Sequence, residues 1–237
     1  MYSHPKALVL LGPPGSGKGT QASRLSAALE IPAISTGEIL RRECQSGGEL
    51  AKELDRTLRS GQLVSDELMA RVVESRLTKG DCKDGCILDG FPRTAEQAGF
   101  LDKLLSRLRM PSPVVFDFEV SAAEVIERLR RRRQCPTCGR IYTAENPAAT
   151  ATMLCRNDHA VLIPRADDQP SAIRERLRAH ERNATGLVRY YRNRDYHRIA
   201  AALSPDQVTA QLYGLLGLSS IAPPAAERVG LWALAAG

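Results

Sequence analysis

With 237 residues, 25% of them charged and 43% hydrophobic, the chain has ordinary soluble composition and room for one sizeable α/β core plus an insertion or for two modest domains. A formal net charge of +6 favours anionic partners, phosphates and nucleic acid alike, without choosing between them. The opening MYSHPKALVLLGPPGSG has an apolar run too short for a signal-peptide core or a membrane span, and no later stretch is long enough either, so a reducing cytoplasmic location without membrane attachment is expected.

KALVLLG (6–12) is a short apolar run closed by glycine, the pattern of a buried parallel strand, and similar runs follow at CILDG (86–90) and PVVFDFEV (113–120). Helical patterns lie between and after them at 17–29, 37–46, 50–59, 65–77 and 94–108. This alternation predicts an α/β fold with a parallel sheet covered on both faces. Ser121 with Glu124, and Ser204 with Gln207 behind Pro205, read as capping boxes for two later helices. The first runs through RLRRRRQ and stops at a cysteine. Residues 135–163 lack periodicity and read as an insertion between helices. A long helix is expected over about 169–195, a short strand near 197–201 and a last helix ending near Leu216. Residues 219–237 read as a tail.

GPPGSGKGT (12–20) stands where a strand turns into a helix, so backbone N–H groups and the helix dipole converge on one spot. Glycines let the backbone approach an anion, and Lys18 adds a charge for the β and γ phosphates of a nucleotide. The strict pattern has Ser or Thr directly after the lysine to bind magnesium. Here Gly19 intervenes before Thr20.

Cys135, Cys138 and Cys155 with Asp158 give C-x2-C-x16-C-x2-D, a spacing suited to tetrahedral zinc. His159, next to Asp158, is an alternative fourth ligand. Four protein ligands leave no open position, so such a zinc braces the segment and does not activate water. The segment is too poor in apolar residues to bury a core, and metal binding would substitute for one.

GPPGSGKGTQ, STGEILR (35–41), LDGFPRT (88–94), the basic helix and RADDQ (165–169), in this order, resemble the motif series of the adenylate kinase family, and the cysteine spacing resembles its zinc-lid type; the likeness spans roughly residues 6–216. The resemblance implies reversible transfer from MgATP to AMP giving two ADP by a monomer. It implies a P-loop core at 1–34, 65–133 and 168–218, a helical monophosphate-binding region at 35–64 and a zinc lid at 134–167. Gly15, Ser16, Gly17, Lys18, Gly19 and Thr20 would hold ATP together with Arg132, Ile141, Tyr142 and the backbone near Leu203. Thr36, Arg41, Gln62, Leu63, Val64, Gly90, Phe91, Pro92, Arg93 and Gln97 would surround AMP, joined by Arg165 and Arg176. Pyrimidine-monophosphate kinases share the series but usually carry a small residue where Thr36 stands, and a kinase for another monophosphate remains the alternative.

The attacked oxygen belongs to an ionised phosphate, so no general base is needed and catalysis reduces to positioning and charge neutralisation. Arginine suits that work, since its rigid fork grips phosphate and keeps its proton. The expected catalytic set is Lys18, Arg93, Arg128, Arg132, Arg165, Arg176 and Asp89. Arg128 and Arg132, four apart, are expected on one helical face. Asp89, at the carboxyl end of its strand, would orient magnesium-bound water or serve as a turn residue. Asp167 and Asp168 would bond arginines or magnesium water, with Asp168 alternatively capping the long helix. A zinc-ribbon nucleic-acid binder is the reading from another class. It calls for stacking aromatics, and these are only 5% of the chain.

Overall fold

The apolar stretch after Lys6 becomes β1 (Lys6–Leu11), the middle strand of a five-stranded parallel sheet in the computed structural model, which describes residues 6–45, 49–144 and 153–218. It leads into α1 (Lys18–Leu29), β2 (Ala33–Ser35), α2 (Thr36–Gln45), α3 (Glu49–Ser60) and α4 (Asp66–Leu77). Then come β3 (Gly85–Asp89), α5 (Ala95–Arg107), β4 (Val114–Glu119) and α6 (Ala122–Arg131). The described residues finish with β5 (Arg132–Gln134), β6 (Ile141–Thr143), α7 (Pro170–Tyr191), β7 (Tyr196–Ala200) and α8 (Pro205–Leu216). The main sheet runs β2-β3-β1-β4-β7, so β1 is paired on both sides: Leu8 faces Ile87 of β3 and Val114 of β4.

The two-residue period of β1 divides the core. Ala7, Val9 and Leu11 pack with Leu101 and Leu104 of α5 and Leu187 and Tyr191 of α7, whereas Leu8 and Leu10 pack with Leu25 of α1 and Val208 and Leu212 of α8. A strand buried on both faces has to be apolar at every position, which is why β1 and β3 read as unbroken runs. All five strands point the same way, and the loops leaving β1, β3 and β4 therefore meet at one edge, where α/β sheets bind ligands.

The long helix is shorter than its pattern suggested and ends at Tyr191; the strand after it begins one residue early. Ser204 heads α8 with a complete capping box. At Ser121 only half of the expected box exists: the hydroxyl accepts from the Glu124 N–H at 3.2 Å, but the Glu124 carboxylate accepts from Arg128 Nε at 2.8 Å. A guanidinium one turn away outcompetes a backbone amide for that carboxylate. The expected tail 219–237, residue 46 of the second helical pattern and residues 145–152 of the insertion lie outside the described residues. Among the described residues no helix is long and apolar enough to cross a membrane.

Candidate active site

The loop after β1 delivers Gly17 to the N-cap of α1 with φ 97°. This left-handed geometry turns the first N–H groups of the helix outward, and a Cβ placed on Gly17 would meet nothing within 4 Å, so the space above the loop is open to an anion. Lys18 Nζ donates to the carbonyls of Gly12 at 2.9 Å and Pro13 at 2.6 Å and to Ser16 Oγ at 3.2 Å. Burial pulls its pKa down to about 8, with Arg93, Arg176 and Arg132 adding to the depression and Asp89 opposing it. Asp89 ends β3 beside this loop: a Cβ on Gly19 would lie 3.4 Å from Asp89 Oδ2. A carboxylate thus sits against the position where the strict motif carries its hydroxyl. Gly15 packs on Leu129, and Thr20 is exposed within the first turn of α1.

The arginines converge on the same cleft. Arg132 grips Asp168 with two bonds, Nε to Oδ2 at 2.7 Å and Nη2 to Oδ1 at 2.5 Å, and Arg165 grips Asp167 likewise at 2.9 and 2.7 Å. Arg176 of α7 donates to Asp168 Oδ1 and to the Asp167 carbonyl, both at 3.1 Å, while Arg41 of α2 lies 3.9 Å from Asp167 Oδ2. Arg41 and Arg176 are each lowered to about 10, first by burial and then by neighbouring arginines. Asp167 is held well below the usual carboxylate range by Arg165 and Arg176, which overcome its burial. Cations outnumber the carboxylates beside them, and several are desolvated as well, the signature of a cleft organised for an anion.

Two expectations are corrected here. Asp168 does not cap the long helix: Gln169 holds the N-cap position of α7 without a side-chain cap bond, and the Asp168 carboxylate is consumed by arginines. Arg128 and Arg132 do not share a helical face, because α6 ends at Arg131 and Arg132 leaves it in extended backbone as the first residue of β5. Arg132 is thereby turned to Asp168, while Arg128 stays with Glu124.

On the other side of the cleft, Thr36 is fully buried with its hydroxyl 3.4 Å from the Asp89 carbonyl. Gly90 has φ 86°, and a Cβ there would meet Thr36 Oγ1 at 2.9 Å and Arg93 Nη2 at 3.2 Å. Arg93 Nε donates to the Gly90 carbonyl at 2.8 Å, which lays the guanidinium along this wall. Gln97 is buried on the first turn of α5. Phe91 packs inside the core against Phe100, and Pro92 is buried, so only their backbone is available to a ligand. Val64 joins the core, while Gln62 and Leu63 are more open.

In the insertion, β5 pairs with β6, and Gln134 also bridges to Ile163. The two knuckles repeat each other. Cys135 N–H donates to the Arg140 carbonyl at 2.9 Å and Gly139 N–H to the Cys135 carbonyl at 3.1 Å; Cys155 N–H donates to Ala160 at 2.8 Å and His159 N–H to Cys155 at 3.0 Å. His159 therefore occupies the position of Gly139, and both have positive φ, 57° and 74°. Asp158 occupies the position of Cys138. The four ligand atoms of Cys135, Cys138, Cys155 and Asp158 lie within 4.8 Å of one another, and the Cys138 and Cys155 sulfurs are 3.5 Å apart. Ligands at zinc–sulfur distance on a tetrahedron stand roughly 3.8 Å apart, so the donor set fits such a metal. Among the described residues the buried cluster here is Cys135, Cys155 and Leu162, with Tyr142, Met153 and Ala160 packed against it, too little for a core. Tyr142 is tied to this cluster, its hydroxyl meeting Cys155 Sγ at 3.2 Å and accepting from Arg156 N–H at 3.0 Å. Ile141 and Leu203 are exposed.

A glycine-rich loop at the sheet edge, a lysine within it and a ring of arginines at the same edge define a P-loop phosphotransferase, and the cysteine–aspartate cluster of the insertion fits a metal. The chain belongs to the adenylate kinase family, enzymes that move a phosphoryl group between ATP and AMP: the family model described as adenylate kinase matches residues 10–196. Adenylate kinase of Anaeromyxobacter sp. (strain K) is 40% identical over 212 residues, which are 89% of this chain and 99% of that protein. That of Kosmotoga olearia is 41% identical over 184 residues, 78% of this chain and 86% of its own length. That of Thermosipho africanus is 39% identical over 210 residues, 88% and 98% of the two chains.

Proposed function

We propose that this chain catalyses reversible transfer from MgATP to AMP, as a cytoplasmic monomer that uses no nucleic-acid partner, with the core, monophosphate-binding and lid divisions expected from its sequence. The observation that carries the reading is the convergence of Lys18, Arg41, Arg93, Arg132, Arg165 and Arg176 on one edge of the sheet. All are supplied by one chain, so a site of this kind needs no second copy.

Lys18 and the N–H groups of residues 15–20 bind the β and γ phosphates of ATP, and Arg41 and Arg93 bind the phosphate of AMP. Arg132, Arg165 and Arg176 neutralise the charge that builds between the two nucleotides. Asp89 would hold water of the magnesium bound with ATP, an ion that would neutralise phosphate oxygens. Arg128 reaches ATP only if its pair with Glu124 opens. Thr36 and Gln97 face the adenine of AMP. Cys135, Cys138, Cys155 and Asp158 would hold a zinc that supplies rigidity to the lid, and the lid would close as a body and exclude water from the phosphates.

A coupled assay offering AMP, CMP, UMP and GMP with MgATP tests the assignment. AMP is expected to exceed the others by at least 10²-fold in kcat/KM, a discrimination within reach of a site that hydrogen-bonds its base. A better pyrimidine acceptor would move the chain to another substrate class.

The lysine gives a second expected outcome. With its pKa near 8 in the free enzyme, kcat/KM for ATP should fall about tenfold per pH unit above about pH 8, as the ammonium is lost. kcat reports the complex, in which phosphate charge restores the ammonium, and should hold to higher pH. A kcat/KM profile flat to pH 9.5 would show that the ammonium keeps its proton there and would overturn the lowered pKa of Lys18.

A further inference from the structure

Gln97 is 4% exposed, and both ends of its amide are engaged. Its Oε1 accepts from the Arg93 backbone N–H at 2.7 Å, and its Nε2 donates to Asp66 Oδ1 at 2.6 Å. Asp66 opens α4, thirty-one positions away in sequence, and its second oxygen accepts from Thr94 Oγ1, the N-cap of α5, at 3.1 Å. A backbone N–H can only donate and an ionised carboxylate can only accept. Turning the Gln97 amide over would set donor against donor at Arg93 and acceptor against acceptor at Asp66, so its orientation is fixed twice.

We propose that Asp66 is a positioning residue that selects adenine by locking the Gln97 amide. The inference rests on the reading that Gln97 faces the base of AMP. Once locked, Gln97 has one Nε2 hydrogen and one Oε1 lone pair to offer, in fixed places. Adenine presents an amino donor beside a ring-nitrogen acceptor and matches that order. Hypoxanthine presents a carbonyl acceptor where adenine has its amino group, and a match would need the amide turned over. Asp66 itself is exposed, so water competes for its carboxylate and the selection is graded.

The test compares AMP with IMP, which differ at that edge of the base, as acceptors for the full chain and three variants. Asp66→Asn keeps the shape but accepts an amide in either orientation. It should lower the AMP/IMP ratio of kcat/KM about tenfold, the weight of one hydrogen bond to a charged group, with a raised KM for AMP and kcat within about twofold. Asp66→Ala should do the same, and serves if the asparagine variant folds poorly. Asp66→Glu, which restores an acceptor-only partner, should recover most of the ratio. A merely structural carboxylate would lower Tm in Asp66→Asn and leave the ratio alone, and that result overturns the proposal. Gln97→Leu separates the two levels. If it too leaves the ratio at the wild-type value, Gln97 does not read the base and the underlying reading fails; if it collapses the ratio while both Asp66→Asn and Asp66→Ala preserve it, only the role of Asp66 is lost.

Discussion

Lys18→Met is expected to lower kcat/KM for phosphoryl transfer by at least roughly 10²–10³-fold, the loss typical of one preorganised donor to developing charge, while the protein keeps its fold. Without phosphate, the ammonium rests on the Gly12 and Pro13 carbonyls and on Ser16, inside a loop crowded by Arg93, Arg132 and Arg176. Its lowered pKa means that the charged form is disfavoured there relative to water. Removing the charge therefore relieves repulsion and desolvation, and the cost is confined to the hydrogen bonds that two carbonyls and a hydroxyl lose. Tm should stay within a few degrees of wild type, because those opposing terms are of similar size. Such a residue serves function at the expense of local stability, and circular dichroism melting beside a steady-state assay separates the two. Near-normal turnover by the well-folded variant would show that phosphate binds elsewhere.

Much of this site was legible because its signals are local. The strand-to-helix turn of GPPGSGKGT carries its own chemistry in nine consecutive residues, and the unbroken apolar runs of β1 and β3 announce strands covered on both faces. What escaped depended on partners distant in sequence or on elements too short to have a period. β2 is three residues, as are β5 and β6, and no alternation can be read from so few. Arg132 looked helical by its spacing from Arg128, but its partner Asp168 lies thirty-six residues on and draws the chain out of the helix. Asp168 looked like a cap for the same reason in reverse: position alone suggested the role, and two guanidinium groups had claimed the carboxylate. His159 beside Asp158 was ambiguous as a ligand until the repeated knuckle bonds put it at the turn position held by Gly139. Asp66 gave no signal at all, since its link to Gln97 is visible only once α4 and α5 are packed together.

Cys135→Ser should lower Tm by roughly 10 °C while reducing kcat at low temperature less than about fivefold. A few kcal/mol lost from a chain of this size shifts Tm by that amount, and ligand loss from a structural metal is of at least that order. Among the described residues the knuckles enclose little besides Leu162, with Tyr142, Met153 and Ala160 packed against it, and Cys135 directly follows Gln134, which pairs with both Ile141 and Ile163. β5 begins at Arg132, and Ile163 lies two residues before Arg165, the arginines that grip Asp168 and Asp167 ahead of α7. Loosening the knuckles therefore works outward into the arginine clamp as temperature rises, so thermal melting feels the change first. At low temperature Cys138, Cys155 and Asp158 still offer three ligands and the clamp stays assembled, so turnover persists. Metal content by atomic absorption, melting and kcat at 10 °C, measured on wild type and variant, test the argument together. Wild-type protein purified with no tightly held metal would defeat the bracing role, and so would a chelator that abolishes turnover while leaving the melting curve in place, because a closed four-ligand site can reach the chemistry only through the shape of the lid it holds.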